Sequence, residues 1–404
     1  MTTTPTTAAR TCPVLAYDHR AVPPAERFAI WKDLRARGPI VWSDRYDGFW
    51  VVSGYAEVAA VMRDDKTFSS AKTADGRGGQ SIPPFPWVRN VPGEYDGEEH
   101  DRLRAVLAPP LSPKLIEDRR PVVAAIVGDL FDKLEGRDRV DATREIAVPV
   151  PAHSMFTFMG MPREDADTLG LMVHAVHGTR GNAEEIQATL RAIEQRMLAE
   201  AAARRANPTD DIISAYANYR HESRHLSDEE LLSVMVTGLL FGGLVTAADT
   251  LANGMIYLDR RRDARAELIA DPERIPNFVQ DLVRYVSPAV VVARTVTAET
   301  VLGGQRLKPG DRILCNIGSA NQDPAVFETP ERIDASAWRN RHLGFGVGPH
   351  FCPGAPLARL EIELAIRELL RRMPNYAIDD LERLTMGLAD PEGGWRPLML
   401  RPRG

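Results

Sequence analysis

Three cysteines in 404 residues, Cys12, Cys315 and Cys352, are too few and too odd in number for a disulfide framework and fit a reducing cytoplasm. Nor is there a surplus of positive charge. The 50 Lys and Arg stand against 56 Asp and Glu, and a formal net charge of -6 argues against nucleic acid as the main partner. No flavin or nicotinamide fingerprint occurs, and a fused reductase domain is not expected. Repeats, heptads and evident linkers are missing as well. The Thr-rich start, Met1 to Arg10, lacks the order of a signal peptide. It reads as part of a flexible tail over 1–20, with Cys12 an inert exposed thiol and 21–404 a single domain. Long apolar runs are absent with one exception: between Leu231 and Leu258 the only charged residue is Asp249. That length suffices to cross a bilayer. However, Thr237, Gly238, Gly242, Gly243, Thr246 and Thr250 interrupt it, and no aromatic belt or basic flank anchors it. A buried central helix is the better reading, and no membrane partner is expected.

What is present is mostly helical pattern. Apolar spacing predicts helices over Ala25–Arg37, Tyr55–Arg63, His100–Leu107, Pro121–Leu134, Arg163–His177, Ala183–Arg205, Ile275–Tyr285 and Pro356–Arg372. Ser227, followed three residues later by Glu230, forms a capping-box pattern that opens the long apolar helix, which runs to about Arg260. Strands are expected at Phe49–Val52, Val290–Val301 and Arg312–Ile317. A loop rich in Gly and Pro lies between Gly76 and Gly97, and its aromatics favour a functional role. The fold class is therefore mainly α with minor β, one domain crossed by a long central helix.

The most informative stretch is Phe345-Gly346-Val347-Gly348-Pro349-His350-Phe351-Cys352-Pro353-Gly354, immediately before a helix. Glycine permits positive φ and close backbone approach to a flat ligand. Backbone N–H groups and the helix start are expected to lower the pKa of Cys352. Such a thiolate is a suitable axial ligand for haem iron. A buried structural cysteine remains the bland alternative, and a cysteine nucleophile would need a base that the sequence does not name. Zinc lacks a second ligand at suitable spacing other than His350.

This stretch resembles the haem-binding signature of the cytochrome P450 family, F-x-x-G-x-[HR]-x-C-x-G, matched at Phe345, Gly348, His350, Cys352 and Gly354. The resemblance extends from about Ala25 to Leu400. It implies haem b as cofactor, Cys352 as the metal ligand, and Phe345, Gly346, His350 and Gly354 as its immediate surroundings. His100 and Arg104 resemble the family's H-x-x-x-R pair that binds the haem propionates. Their i, i+4 spacing puts both on one helix face. Arg294 and His350 resemble the other propionate donors. Asp281-x-x-Arg284 and Pro330-Glu331-Arg332 stand where the family has a buried network of one acid and two arginines, here with the acid one methylene shorter.

The family's oxygen-activating motif, [AG]-G-x-[DE]-T, has two candidate registers. Gly242-Gly243-Leu244-Val245-Thr246 keeps the glycines and Thr246 but has Val245 in the place of the acid. Thr246-Ala247-Ala248-Asp249-Thr250 keeps the acid but not the glycine. The first is preferred, because two absent side chains leave room beside the cofactor, and it makes Thr246 the catalytic candidate. The pocket implied by the resemblance draws on Phe85, Trp87, Phe241, Gly242, Val245, Val290, Val291 and Val292, with His174 and His177 as further candidates. It suits a largely apolar small molecule. Electrons are expected from a separate ferredoxin with its reductase, docking on a basic face of Arg102, Lys114, Arg339 and Arg359. The implied reaction is insertion of one oxygen atom from dioxygen. Radical coupling, desaturation or peroxide use are alternatives made plausible by Val245, and a non-catalytic haem sensor is a more distant one.

Overall fold

The computed structural model describes residues 12–84, 89–178, 183–221, 224–336, 338, 341–381, 384 and 397–402. Most of the mass is helical, with a six-stranded sheet along one side. The sheet order is Val14–Leu15, Ile40–Ser43, Phe49–Val52, Arg312–Asn316, Val291–Val296 and Phe68–Ser69. Phe49–Val52 and Ile40–Trp42 read as unbroken apolar runs because every position is buried, as is Ser43, whose hydroxyl donates to Tyr17 O at 2.7 Å. Val14–Leu15 pairs in parallel with Trp42 and Ser43, so the expected flexible tail to residue 20 is too long. Cys12 is half-buried against the sheet cluster rather than an exposed thiol.

The helices fall close to their sequence-based positions: Arg27–Ala36, Tyr55–Arg63, Gly97–Leu107, Arg120–Asp132, Arg163–Gly178, Ala183–Ala206, Ile275–Val286 and Ala355–Arg372. Helices that sequence reading missed include Pro149–Phe158 and Arg262–Ala270. The central helix, Asp228–Arg260, is long and apolar enough to cross a membrane. Here it packs against Pro149–Phe158, Arg163–Gly178 and Ala355–Arg372. Its start carries both capping-box bonds, Glu230 N donating to Ser227 Oγ at 3.1 Å and Ser227 N to Glu230 Oε2 at 2.7 Å. The Glu230 carboxylate also receives Arg102 Nη2 at 2.9 Å, which ties the central helix to Gly97–Leu107. The other end of Gly97–Leu107 is held by Tyr216, whose hydroxyl donates to Leu107 O at 3.1 Å.

The central helix is not uniform. Ser233–Val245 has the wide, π hydrogen-bonding pattern, and the α pattern resumes from Thr246 to Arg260. The change of pitch falls between Val245 and Thr246, beside the two glycines singled out from the sequence.

Candidate functional site

The cysteine loop is shaped by two left-handed glycines, Gly346 at φ 75° and Gly348 at φ 79°. At Gly348 a Cβ would come within 2.7 Å of Met62 O and 2.9 Å of Arg63 Cα, so the loop is seated directly on the end of helix Tyr55–Arg63. Cys352 N donates to Phe345 O at 2.8 Å, which closes the loop and fixes the sulfur before helix Ala355–Arg372. Burial pushes the Cys352 thiol pKa up, against the opposing effects of the Gly354 and Ala355 amides and the charges of Arg104 and Arg359. The expected lowering is therefore overturned for the unligated thiol. Desolvation outweighs the local dipoles, and a bound cation is what would release the proton. Arg359, expected on a docking face, instead lies 4.5 Å from the centre of the Phe345 ring and donates to Gln280 Oε1 at 2.8 Å.

Four cationic or ionisable side chains converge from three segments. His100 and Arg104 come from helix Gly97–Leu107, Arg294 from strand Val291–Val296 and His350 from the loop. His100 and His350 stack edge to face with ring centres 4.4 Å apart. His100 is buried, and its Nε2 has no hydrogen-bond partner. Arg294 is 2% exposed and donates to its neighbour's carbonyl, Ala293 O, at 2.8 Å. Among the described residues neither Arg294 nor Arg104 has a carboxylate within ion-pair distance.

On the central helix Gly242 is open: a Cβ there would meet only Thr237 O, at 3.3 Å. Gly243 is not. Its Cβ would strike Met155 Cε at 2.7 Å, so this glycine serves helix packing rather than the expected space beside a cofactor. Thr246 is partly exposed, its hydroxyl donating to Gly242 O at 2.8 Å, while Val245 is 5% exposed within the core. In the competing register Thr250 is buried and its hydroxyl donates to Thr246 O at 2.7 Å. Asp249 is half-buried and supports the charge on Arg27 at the start of the first long helix. Phe241, Val290, Val291 and Val292 are half-buried. Phe85, Trp87 and Arg339 lie outside the described residues, as do the side chains of His174 and His177.

Asp281 and Arg284 form a fully buried bidentate pair, Arg284 Nε donating to Oδ1 at 2.6 Å and Nη2 to Oδ2 at 3.0 Å. Arg284 also donates to the carbonyls of Asn321, Pro330 and Arg332. The expected second arginine is absent from this knot: the Arg332 side chain is exposed and only its carbonyl takes part. Of the basic face expected for docking, Arg102 is taken up by Glu230, while Lys114 stays exposed in a surface pair with Asp118.

Residues 275–373 match the family model described as Cytochrome P450. The chain is 31% identical over 343 residues to "Polyketide biosynthesis cytochrome P450 PksS" of Bacillus subtilis, covering 82% of this chain and 84% of that one. It is 34% identical to "Erythromycin C-12 hydroxylase" of Saccharopolyspora erythraea, covering 87% and 88%. The structure of a mutant of P450 EryK in complex with erythromycin B superposes with a TM-score of 0.82 at 30% identity, covering 94% of this chain and 98% of that one. The chain belongs to the cytochrome P450 family. This P450 is an oxidoreductase of the monooxygenase type, its cofactor is haem b, and its relatives include enzymes of bacterial secondary metabolism. The residues present fit that group. A guanidinium buried without a counter-charge and an orphaned imidazole nitrogen are what two propionates would satisfy. The open face at Gly242 is what a flat macrocycle with a small ligand above it would need.

Proposed function

We propose that this P450 inserts one oxygen atom from dioxygen into a largely apolar small molecule, taking electrons from a separate ferredoxin in the cytoplasm. The observation that carries this reading is the exposed Gly242 and partly exposed Thr246 on a central helix whose stretch Ser233–Val245 is free of charge, with Phe241 and Val245 as apolar neighbours. Such walls hold a substrate by burial of apolar area and leave orientation to few polar groups. The haem supplies the oxygen chemistry, with Cys352 as its sulfur ligand. His100, Arg104, Arg294 and His350 hold its two carboxylates by charge-assisted hydrogen bonds.

Thr246 has its hydroxyl hydrogen committed to Gly242 O, so its oxygen presents lone pairs to the open side and accepts a hydrogen bond there. Val245 can neither carry nor position a proton, and Asp249 is drawn towards Arg27. Protons therefore reach Thr246 through water or through polar groups of the substrate. The relatives named for polyketide biosynthesis and erythromycin hydroxylation favour a substrate of that general kind. A spectral binding screen with such compounds, followed by turnover under labelled dioxygen, tests the reading. One labelled oxygen atom in the product is the expected result. Turnover that leaves the product unlabelled would replace insertion by desaturation or radical coupling.

A further inference from the structure

Asp96 occupies the N-cap of helix Gly97–Leu107, where an aspartate ordinarily accepts a hydrogen bond from the first turn. It makes no such bond. Its carboxylate turns back instead and accepts from Ser69 Oγ, from Ser70 N at 3.1 Å, from Ser70 Oγ at 2.9 Å and from Ala71 N at 3.3 Å. Beyond Ser70 stands His350, with Nε2 3.0 Å from Ser70 Oγ and 3.7 Å from Asp96 Oδ1. Three segments distant in sequence thus meet at one buried hydroxyl, since Ser70 is 0% exposed.

The direction of this chain follows from counting hydrogens. A serine hydroxyl has one hydrogen to give. Its other acceptor, Tyr95 O, is at 3.4 Å, so the hydrogen goes to Asp96 at 2.9 Å. Ser70 Oγ then meets His350 with a lone pair, and Nε2 is the ring nitrogen that donates. Nε2 is thereby tethered and one side of the ring lies against His100, so a haem carboxylate would be met by Nδ1–H of the doubly protonated ring. Asp96 itself stays charged: burial opposes ionisation, but the nearby His350 ring and the hydrogen bonds from Ser69 and Ser70 outweigh it.

We propose that Asp96 is a positioning residue of the cofactor site, acting through Ser70 to orient His350 towards the haem carboxylates. The proposal rests on His350 serving those carboxylates, and the experiment separates the two ideas. Haem release from the holoprotein to an excess of haem-free myoglobin is followed for Asp96→Asn, Ser70→Ala, His350→Gln and the pair Asp96→Asn with His350→Gln. Loss of a charge-assisted hydrogen-bond chain should speed release about tenfold in each single variant. In the pair, release should match that of His350→Gln alone, because Asp96 then has nothing to orient. Ser70→Ala keeps the backbone donors to Asp96, so it guards against mere unfolding of the 69–71 segment. Equal acceleration by Asp96→Asn with and without His350 would reduce Asp96 to a local strap and overturn the proposal. Unchanged release in Ser70→Ala would overturn the relay. Unchanged release in His350→Gln would remove the role of His350 itself.

Discussion

Replacing Arg284 by methionine removes five hydrogen bonds at once: two to Asp281 and one each to the carbonyls of Asn321, Pro330 and Arg332. The Asp281 carboxylate, 0% exposed, would keep only the Asp334 amide at 2.8 Å. Breaking a buried pair from one side costs about 3–5 kcal/mol, mostly because the survivor stays charged and dry. Unfolding entropy for 404 residues is about 0.85 kcal/mol per degree, so the melting temperature should fall by about 4–6 °C. Asp281→Asn keeps the carbonyl acceptors around Arg284 and should cost roughly half as much. The double variant Asp281→Leu with Arg284→Met should be less damaging than Arg284→Met alone, since no charge is stranded. The effect should also reach the cysteine loop. Asn321, whose carbonyl Arg284 holds, accepts from Leu343 N through Oδ1 at 2.7 Å, just before Phe345. Thermal melts and haem-release rates on the three variants decide the matter. A drop below 1 °C for Arg284→Met, or a double variant that melts lower than Arg284→Met alone, would refute the reasoning.

The remaining predictions can be checked with the same protein. Cys352→His should leave a haem protein whose reduced carbon monoxide complex has lost the red-shifted band of sulfur ligation, as read by difference spectroscopy. Gly242→Ala should alter substrate-induced spectral changes, because its Cβ projects from the exposed face of the central helix, 3.3 Å from Thr237 O, whereas Gly243→Ala displaces the flexible end of Met155 inside the packing and should leave those spectra less changed. Val245→Asp should change the fraction of reductant that ends in product, measured as product formed per electron consumed; an unaltered fraction would show that the acid is dispensable here. Glu361 is fully buried, with its pKa raised well above 4.5 by burial, partly opposed by Ser154. The folded state therefore binds this proton more tightly than the unfolded state does. Stability contributed by the neutral acid is present below about pH 4.5 and is lost as pH rises towards the folded-state pKa. Urea melts of Glu361→Gln should show a flatter decline with rising pH than the parent.

Sequence periodicity located Tyr55–Arg63 and Phe49–Val52 to the residue, because burial there alternates or persists in simple local patterns. It missed Pro149–Phe158, where Pro149 and Pro151 suggest a loop. Both fall in the first turn, where the missing N–H groups have no helical partner anyway. Nine of its ten residues are also buried, which erases the amphipathic signal. The cysteine loop was legible because its glycines and cysteine are contiguous. The fates of Arg102 and Asp96 were not, because they depend on Glu230, Ser70 and His350, which only the fold brings near. Gly243 was misread for the same reason: nothing in the sequence reveals that Met155 lies against it.

The wide stretch Ser233–Val245 has a consequence for length tolerance in the middle of the molecule. Each of its turns takes up about one residue more than an α turn over the same span. Deleting a single residue between Ser233 and Leu240 can be absorbed by tightening one turn, leaving everything from Thr246 onward in place. The same deletion beyond Thr246, where no slack is stored, would rotate every later side chain by about 100°.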